Sequence, residues 1–418
     1  MTGTFARSLV TILTLAAVAG CARSDPAPYV FAPRAVYPLP GRLAPDAHSP
    51  RLGLDASGAL SLLAVYGAGE DSHLAVFSSR DGGDSFAHAI AVSSAGANVE
   101  GWGESSPAFA QPGDGYEHVV WQQQAGSRGD ELLSSRMHPW GKAFAAPTAV
   151  SSDARAATNA YPSVAVAGKT LYVAWLDGRQ PHGKGTLAVY LGISHDGGAT
   201  FSNVRVSSVA CPCCRPAVLA APDGTVYVAW RWVFPGDVRD MVVAASHDGG
   251  RTFGKPVRVH DDGWSIKGCP EAGPSLAFFQ HRLYIAWHTV TPAGEQIVNV
   301  AFSADGGRTF SDPERASQRI LDANHPRLAA TQTSLLLVFE GRDPQQDAGW
   351  GASRAYFAAS DGGAFSEPLA LSDGRASVSG PTLLARDEAT VYVAATQTVN
   401  GHNSIVLFRG RKILGGSK

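Results

Sequence analysis

The sequence predicts an all-β protein, a seven-bladed β-propeller built from four-stranded antiparallel blades. Three observations favour this fold class: one segment recurs seven times, each copy contains short β-branched and aromatic runs, and a Gly-Gly turn recurs between two of the runs. The composition agrees, because 46 glycines and 26 prolines in 418 residues are typical of many turns between short strands.

The composition also excludes several classes of function. Hydrophobic residues make up 44% of the chain and charged residues 17%, which is too apolar for a disordered protein. The formal net charge is −2 and no basic stripe is present, so we expect no nucleic-acid partner. Neither a phosphate-binding glycine loop nor a dinucleotide fingerprint occurs, which argues against a nucleotide-dependent activity.

The N-terminal segment predicts export. Arg7 precedes an apolar run from Leu9 to Ala19, which is typical of a secretion signal and too short to span a bilayer. The following Gly20-Cys21 completes a sequence that resembles a bacterial lipobox, which implies that Cys21 is acylated after cleavage. We therefore expect a signal peptide at 1–20, an acylated tether at 21–28 and one propeller domain at 29–418, with a plain signal peptide as the alternative.

The lipoprotein resemblance also implies a location. Ala22 stands where an aspartate would mark retention in the inner membrane. We expect a cell-envelope protein held by its N-terminal lipid, in the outer membrane, facing the periplasm or the cell surface. The cysteines other than Cys21 would then lie in an oxidising compartment.

Each repeat opens with a proline, followed by four predicted strands. The opening residues are spaced 52 to 58 residues apart and are Pro50, Pro107, Pro162, Pro216, Pro274, Pro326 and Pro381. The second strand of a unit recurs as an apolar-Tyr-Val-Ala-Trp sequence, as in Leu171-Tyr-Val-Ala-Trp175. The last unit lacks a fourth strand, so we expect a strand near Phe31 to close the ring beside it.

The third and fourth strands are joined by a recurring turn, of which Ser303-Ala-Asp-Gly-Gly-Arg-Thr-Phe310 is one copy. The aspartate is expected to cap turn amides while the glycines adopt positive φ. These turns resemble the Asp-boxes, or BNR repeats, of the sialidase superfamily. That resemblance implies a propeller and would favour six blades, whereas the repeat count predicts seven.

The proline-led strands are predicted to surround the central channel, with the residues beside each proline facing it. The large polar residues at these positions are Arg51, Tyr161, Arg215, His325 and Arg327. Three arginines on one ring are typical of an anion site. The alternative is that they pair with neighbouring carboxylates or backbone groups.

The sialidase resemblance implies roles for these residues. Arg51, Arg215 and Arg327 would hold the carboxylate of the sugar, and Tyr161 would be the nucleophile. The base for Tyr161 would be Glu104 or Glu271. The implied acid is Asp71 by blade position, although Leu337-Val-Phe-Glu-Gly-Arg342 followed by Asp347 also resembles the family's acid-bearing segment. The implied activity is that of an exo-sialidase-like glycoside hydrolase acting on anionic sugars at the channel mouth.

Four cysteines form a second candidate site. Cys211, Cys213 and Cys214 lie just before the fourth inner strand, and Cys269 lies in the equivalent loop of the next blade. They could form one or two disulfides, and the sequence does not select the pairing. They could also bind a soft metal such as copper, with His325, His288 or His48 as a further ligand, or provide a redox-active thiol pair.

Three functional hypotheses follow from these two clusters. The first is the sialidase-like glycosidase, and the second is a copper or thiol-redox protein of the cell envelope. The third is a propeller without catalytic activity that binds a glycan or an envelope protein through one face.

Overall fold

The computed structural model of the protein describes residues 29–37, 46–67, 71–94, 96–111, 115–124, 126, 129–152, 158–179, 185–345 and 351–413, without the side chains at 33–37 and 88. The predicted signal peptide, Cys21 and the tether lie outside these ranges, as does Asp347. Within the described part of the chain, no helix is long and apolar enough to cross a membrane.

The described residues form seven antiparallel sheets, one for each predicted blade. Blade 1 comprises β2 (His48–Leu54), β3 (Leu60–Tyr66), β4 (His73–Ser79) and β5 (Ala87–Ala91). Blade 2 comprises β6 (Val99–Glu100), β7 (Ala108–Ala110), β8 (Glu117–Gln124), β9 (Asp130–Met137) and β10 (Thr148–Ala149). Blade 3 comprises β11 (Asn159–Ala167), β12 (Thr170–Asp177), β13 (Leu187–Ser194) and β14 (Ser202–Ala210).

Blades 4 to 7 follow the same order. They comprise β15 (Ala217–Ala220), β16 (Val226–Arg231), β17 (Met241–Ser246) and β18 (Val257–Arg258); β19 (Ser275–Phe279), β20 (Arg282–Val290), β21 (Gln296–Ser303) and β22 (Glu314–Arg315); β23 (Leu321–Ala330), β24 (Leu335–Arg342), β25 (Arg354–Ser360) and β26 (Leu369–Ala370); and β27 (Ser377–Ala385), β28 (Thr390–Val399), β29 (His402–Lys412) and β1 (Tyr29–Tyr37).

The blades close into a ring. The first strands contact one another in the cycle β2, β7, β11, β15, β19, β23, β27 and back to β2, so they surround the central channel as predicted. The N-terminal β1 pairs antiparallel with β29 and completes blade 7, which confirms the expected closure. The prediction of seven blades is confirmed, and the six-bladed alternative is wrong.

The core lies between the blades. The recurring tryptophans of the second strands, Trp121, Trp175, Trp230 and Trp287, are fully buried. Each brings a large apolar surface into the contact between adjacent sheets. The repeated strand sequence is therefore the source of the packing that holds one blade to the next.

Four inner strands contain a β-bulge where the sequence analysis assumed unbroken alternation. The strand pairing skips a residue around Pro50, Pro162, Pro326 and Pro381. The residue before each of these prolines adopts positive φ, as Tyr161 does at 62° and His325 at 49°. A bulge redirects a side chain, so the residues before and after these prolines do not share one face as simple alternation requires.

The Asp-box turns lie at the ends of the blades away from the starts of the inner strands, because they join the third and fourth strands of antiparallel sheets. In the turn of blade 5, Asp305 accepts hydrogen bonds from the amide and hydroxyl of Thr309 and from the hydroxyl of Ser303. These bonds, with that of the Thr309 hydroxyl foremost, hold the pKa of Asp305 below its usual range.

We predict that Asp305→Ala lowers the melting temperature, because the turn loses the acceptor that organises it. Asp312→Ala, at an exposed aspartate a few residues later, should leave it unchanged and serves as the control. Thermal unfolding followed by circular dichroism checks this. Equal melting temperatures for the two variants would contradict the capping role.

Candidate functional site

The structure brings the three predicted arginines together. Arg51, Arg215 and Arg327 line a cavity of about 200 Å³ in the central channel, among apolar residues of the inner strands. Arg51 and Arg327 also line a smaller cavity of about 70 Å³ at the mouth, together with Trp102, His325 and Glu340 among others. The gathering of these arginines is therefore as predicted, while their chemical role remains a prediction.

Glu104 is the centre of the mouth. It lies on a single 3-10 turn, Gly103–Ser105, that separates the two inner strands β6 and β7 of blade 2. Its side chain is buried, with only 2% of the residue exposed. Oε2 accepts hydrogen bonds from the backbone amides of Arg215 and Gly273, both at 3.1 Å. A methyl group at Gly273 would lie 2.6 Å from the same oxygen, so this approach needs glycine.

Three cations surround the Glu104 carboxylate. Nε of Arg215 lies 3.8 Å from Oε2, while Nη2 of Arg327 and Nε2 of His325 lie 3.7 and 3.8 Å from Oε1. A carboxylate buried in this way is stable only when charges and donors replace its hydration. Glu104 was predicted as a base for Tyr161; in the structure its contacts are those of a counter-ion that joins blades 2, 4, 5 and 6.

His325 is held as a cation. Its Nδ1 lies 2.8 Å from Oε1 of Glu340, and its Nε2 lies 2.9 Å from the backbone oxygen of Glu271. Burial disfavours the charge, but the carboxylates of Glu340 and Glu104 outweigh it and raise the pKa of His325 to about 9. The protonated ring donates through both nitrogens, so it has no lone pair for the metal-ligand role that the sequence suggested.

Arg51 forms no ion pair of its own with the acidic residues that the structure describes. Burial, and next the charge of Arg215, lower the pKa of Arg51 to about 9, although Glu104 opposes the shift. Its Nη1 donates to the backbone oxygen of Pro50 at 2.8 Å, and no ion pair joins it to a carboxylate among the described residues. A bound anion would offset the free-energy cost of removing the Arg51 charge from water, and it would also reduce the repulsion between the guanidinium groups of Arg51 and Arg215.

The other predicted catalytic residues are less favourably placed. Burial, then the charge of Glu271, raise the pKa of Tyr161, whose ring packs against the buried cysteines. A raised pKa keeps the phenol protonated rather than activating it. The Glu271 side chain is exposed, near Gly103 at the mouth, and Asp71 is exposed on the turn after β3, outside the lining of both cavities.

Two residues of the mouth were not found by sequence reasoning. Trp102 is 56% exposed, and its ring stacks on that of His48 with centroids 3.8 Å apart. Burial lowers the pKa of His48 to about 4, so this supporting ring is neutral. The signal for Trp102 was its position between two glycines before an inner strand. Glu340 lay inside the segment that resembled the family's acid-bearing one, but no role was assigned to it.

The cysteine cluster divides into one bridge and two thiols. Cys213 and Cys269 form a disulfide that joins the loops before β15 and β19, with Cα atoms 6.0 Å apart. Cys211 and Cys214 are free and buried, with sulfurs 3.4 Å apart. The bridge uses two of the four proposed thiolate ligands, so a four-sulfur metal site is not formed. Among the described residues, the cluster of possible metal ligands consists of Cys211, Cys213 and Cys214, and neither His288 nor His48 belongs to it.

The two thiols differ in their electrostatic surroundings. The S–H of Cys214 and Nη1 of Arg239 both donate to the Cys211 sulfur, the latter at 3.1 Å. The bond from Cys214, followed by one from the Cys213 backbone and the charges of Arg231 and Arg239, lowers the pKa of Cys211 to about 6 despite its burial. Burial, and the neighbouring Cys211, raise the pKa of Cys214. These surroundings therefore favour the thiolate at Cys211 and the protonated thiol at Cys214.

We predict that the His325–Glu340 pair makes stability fall in alkaline solution. A histidine whose pKa is higher in the folded than in the unfolded state stabilises the folded state. For His325 this contribution is complete below the unfolded-state pKa of about 6.5 and is lost as the pH rises through about 9. Wild type should lose a few kcal/mol of unfolding free energy between about pH 6 and about pH 10, since one pKa unit corresponds to about 1.4 kcal/mol.

The measurement is denaturant unfolding at those two pH values for wild type and Glu340→Gln. The variant should be less stable near pH 6 and should show a smaller decrease toward pH 10. His402→Gln, at an exposed histidine of blade 7, should behave like wild type. Equal pH dependence in Glu340→Gln and wild type would show that this pair does not carry the effect.

Comparison with known proteins extends the description of the fold. No family model and no curated protein matches the chain. Among solved structures, a protein of unknown function from Dyadobacter fermentans is 14% identical over 92% of this chain and 99% of its own, with a TM-score of 0.54. The polysaccharide lyase Uly1 is 11% identical over 90% of this chain and 92% of its own, also at 0.54.

The Hadza microbial sialidase Hz136 is 17% identical over 83% of this chain and 74% of its own, with a TM-score of 0.48. At these identities the similarity concerns the fold and not the activity. The closed ring of blades and the Asp-box turns agree with it. In its fold, this protein is a seven-bladed β-propeller whose blades carry Asp-box turns.

Proposed function

We propose that this protein binds an acidic glycan at the mouth of its central channel, with Arg51, Arg215 and Arg327 as the contacts for a carboxylate. The observation that carries the proposal is the excess of positive charge in the recess. Three arginines and the protonated His325 face the buried carboxylate of Glu104 and the half-buried carboxylate of Glu340. Even with the exposed Glu271 counted, one positive charge is left for a ligand.

Guanidinium groups suit this ligand because they bind planar carboxylates with paired hydrogen bonds. Arg51 is the principal candidate, since it has no carboxylate partner among the described residues while Arg215 and Arg327 share Glu104. A carboxylate beside Arg51 would gain a charge-assisted contact in a partly buried place, where screening by solvent is weak.

The remainder of the mouth suits a sugar ring. Trp102 offers an exposed aromatic face at the edge of the smaller cavity, held in place by its stacking on His48. The C–H face of a pyranose can pack against such a ring, whose π-face is electronegative. Ser49, Ser106 and Thr396 line the same cavity. The hydroxyls of Ser49 and Ser106 donate to backbone oxygens of the mouth, so these two would accept hydrogen bonds from the ligand.

Hydrolysis of a terminal acidic sugar is the reaction that the sialidase resemblance adds to this proposal. Tyr161 would be the nucleophile and Glu271, whose charge acts on it, would be its base. Glu104 is engaged by its ion pairs, and Asp71 lies on an exposed turn. We therefore base the proposal on binding and treat turnover as a separate outcome. A lipid at Cys21, which remains a prediction, would hold this site at the cell envelope.

We predict that sugars with a carboxylate, such as N-acetylneuraminate or glucuronate, bind more tightly than glucose. Arg51→Ala and Arg327→Ala should each weaken binding about tenfold or more, because a hydrogen bond to a charged group contributes about 1.5–3 kcal/mol. Trp102→Ala should weaken it by removing the stacking surface. Isothermal titration calorimetry at low and high salt measures these effects, with the exposed Arg375→Ala as the control.

A fluorogenic sialoside assay then separates binding from catalysis. Turnover that disappears in Tyr161→Phe and Glu271→Gln identifies a glycoside hydrolase, whereas binding without turnover identifies a glycan-binding propeller. Equal affinity for acidic and neutral sugars, or an Arg51→Ala variant that binds like wild type, would refute the proposal.

A further inference from the structure

A buried dithiol lies directly behind a disulfide that solvent can reach. Cys211 and Cys214 are almost completely buried, whereas Cys269, at the far end of the bridge, is exposed. The Cys211 sulfur lies 3.8 Å from that of Cys213 and 3.4 Å from that of Cys214. One free sulfur is thus adjacent both to a disulfide that it could attack and to a thiol that could displace it.

We propose that Cys211 and Cys214 form an internal thiol–disulfide exchange site with the Cys213–Cys269 bridge. In the first step the Cys211 thiolate attacks the Cys213 sulfur, forming a Cys211–Cys213 bond and releasing Cys269 as a thiolate. In the second step Cys214 loses its proton to the released thiolate and attacks Cys211, freeing Cys213. One disulfide breaks and one forms in each step, so no external oxidant or reductant is needed.

The surroundings favour each partner in this exchange. The Arg239 guanidinium donates to the Cys211 sulfur and stabilises its thiolate, which is the attacking form of cysteine. Cys269 leaves into water, where its negative charge is hydrated. The product would be a Cys211–Cys214 disulfide with the Cys-X-X-Cys spacing found in dithiol redox motifs.

The same surroundings do not suit a metal cation. Arg239 contacts the Cys211 sulfur, and the charge of Arg231 also acts on Cys211, so a cation would enter beside two positive charges. Cys211, Cys213 and Cys214 are the cluster of possible ligands in the described part of the chain, and Cys213 is already bridged. Copper binding is therefore the competing outcome rather than the inference.

The exchange can be followed by trapping the exposed sulfur. The folded, purified protein is incubated with iodoacetamide without reductant, quenched with acid, and analysed by peptide mass spectrometry under non-reducing conditions. We expect alkylated Cys269 together with a Cys211–Cys214 disulfide in the same molecules. Cys211→Ser should slow alkylation of Cys269 about tenfold or more, because the attacking sulfur is gone.

Cys214→Ser is the matched control, since it keeps the first step and removes the second. It should still expose Cys269 to alkylation, with a Cys211–Cys213 disulfide in place of Cys211–Cys214. Circular dichroism confirms that each variant remains folded. Cys269 that stays bridged in folded wild type, or that is alkylated at the same rate in Cys211→Ser, would overturn the inference. The inference would also be overturned if wild type bound one equivalent of copper that blocked alkylation of Cys269, and if both variants failed to bind it.

Discussion

The channel mouth depends on one buried charge, the carboxylate of Glu104. Removing a carboxylate from water costs several kcal/mol unless donors and cations replace the water. Here two backbone amides bind one oxygen and three cations surround the group. The donors come from inner strands and loops of blades 4, 5 and 6, while Glu104 belongs to blade 2. A single side chain therefore sets the relative positions of four blades at the channel.

The charge on the mouth follows from this arrangement. Glu104 neutralises part of the surrounding charge, and Glu340 holds His325 protonated. Arg51 is then left as a guanidinium without its own carboxylate in the described part of the chain. The cysteine cluster is adjacent to the same region. Cys269 and Glu271 lie two residues apart in one loop, and the backbone oxygen of Glu271 contacts His325. The disulfide and the proposed anion site thus share a structural support.

Most of the fold could be predicted from the sequence because the propeller repeats a local pattern. Proline, the Tyr-Val-Ala-Trp strand and the Asp-Gly-Gly turn recur from blade to blade, so their spacing gave the number of blades. The inward position of Arg51 and Arg327 followed from the same repeat. Trp102 and the Cys213–Cys269 pairing could not be predicted in this way, because they depend on loops outside the repeat. Glu340 lies on a repeated strand, but its role depends on His325, which the bulge in β23 redirects. The bulges before the inner prolines also changed the alternation that a regular strand would show.

The central claim is that the Glu104 charge stabilises the mouth, and the unfolding free energy of Glu104→Gln tests it directly. Glutamine keeps an oxygen for the two amides but removes the charge, so the account predicts a loss of about 3 kcal/mol near neutral pH. Glu117→Gln is the control, because burial raises the pKa of Glu117 and its bonds come from Ser61 and Gln111 rather than from cations. It should leave stability unchanged or increase it. A Glu104→Gln variant as stable as wild type would contradict the account.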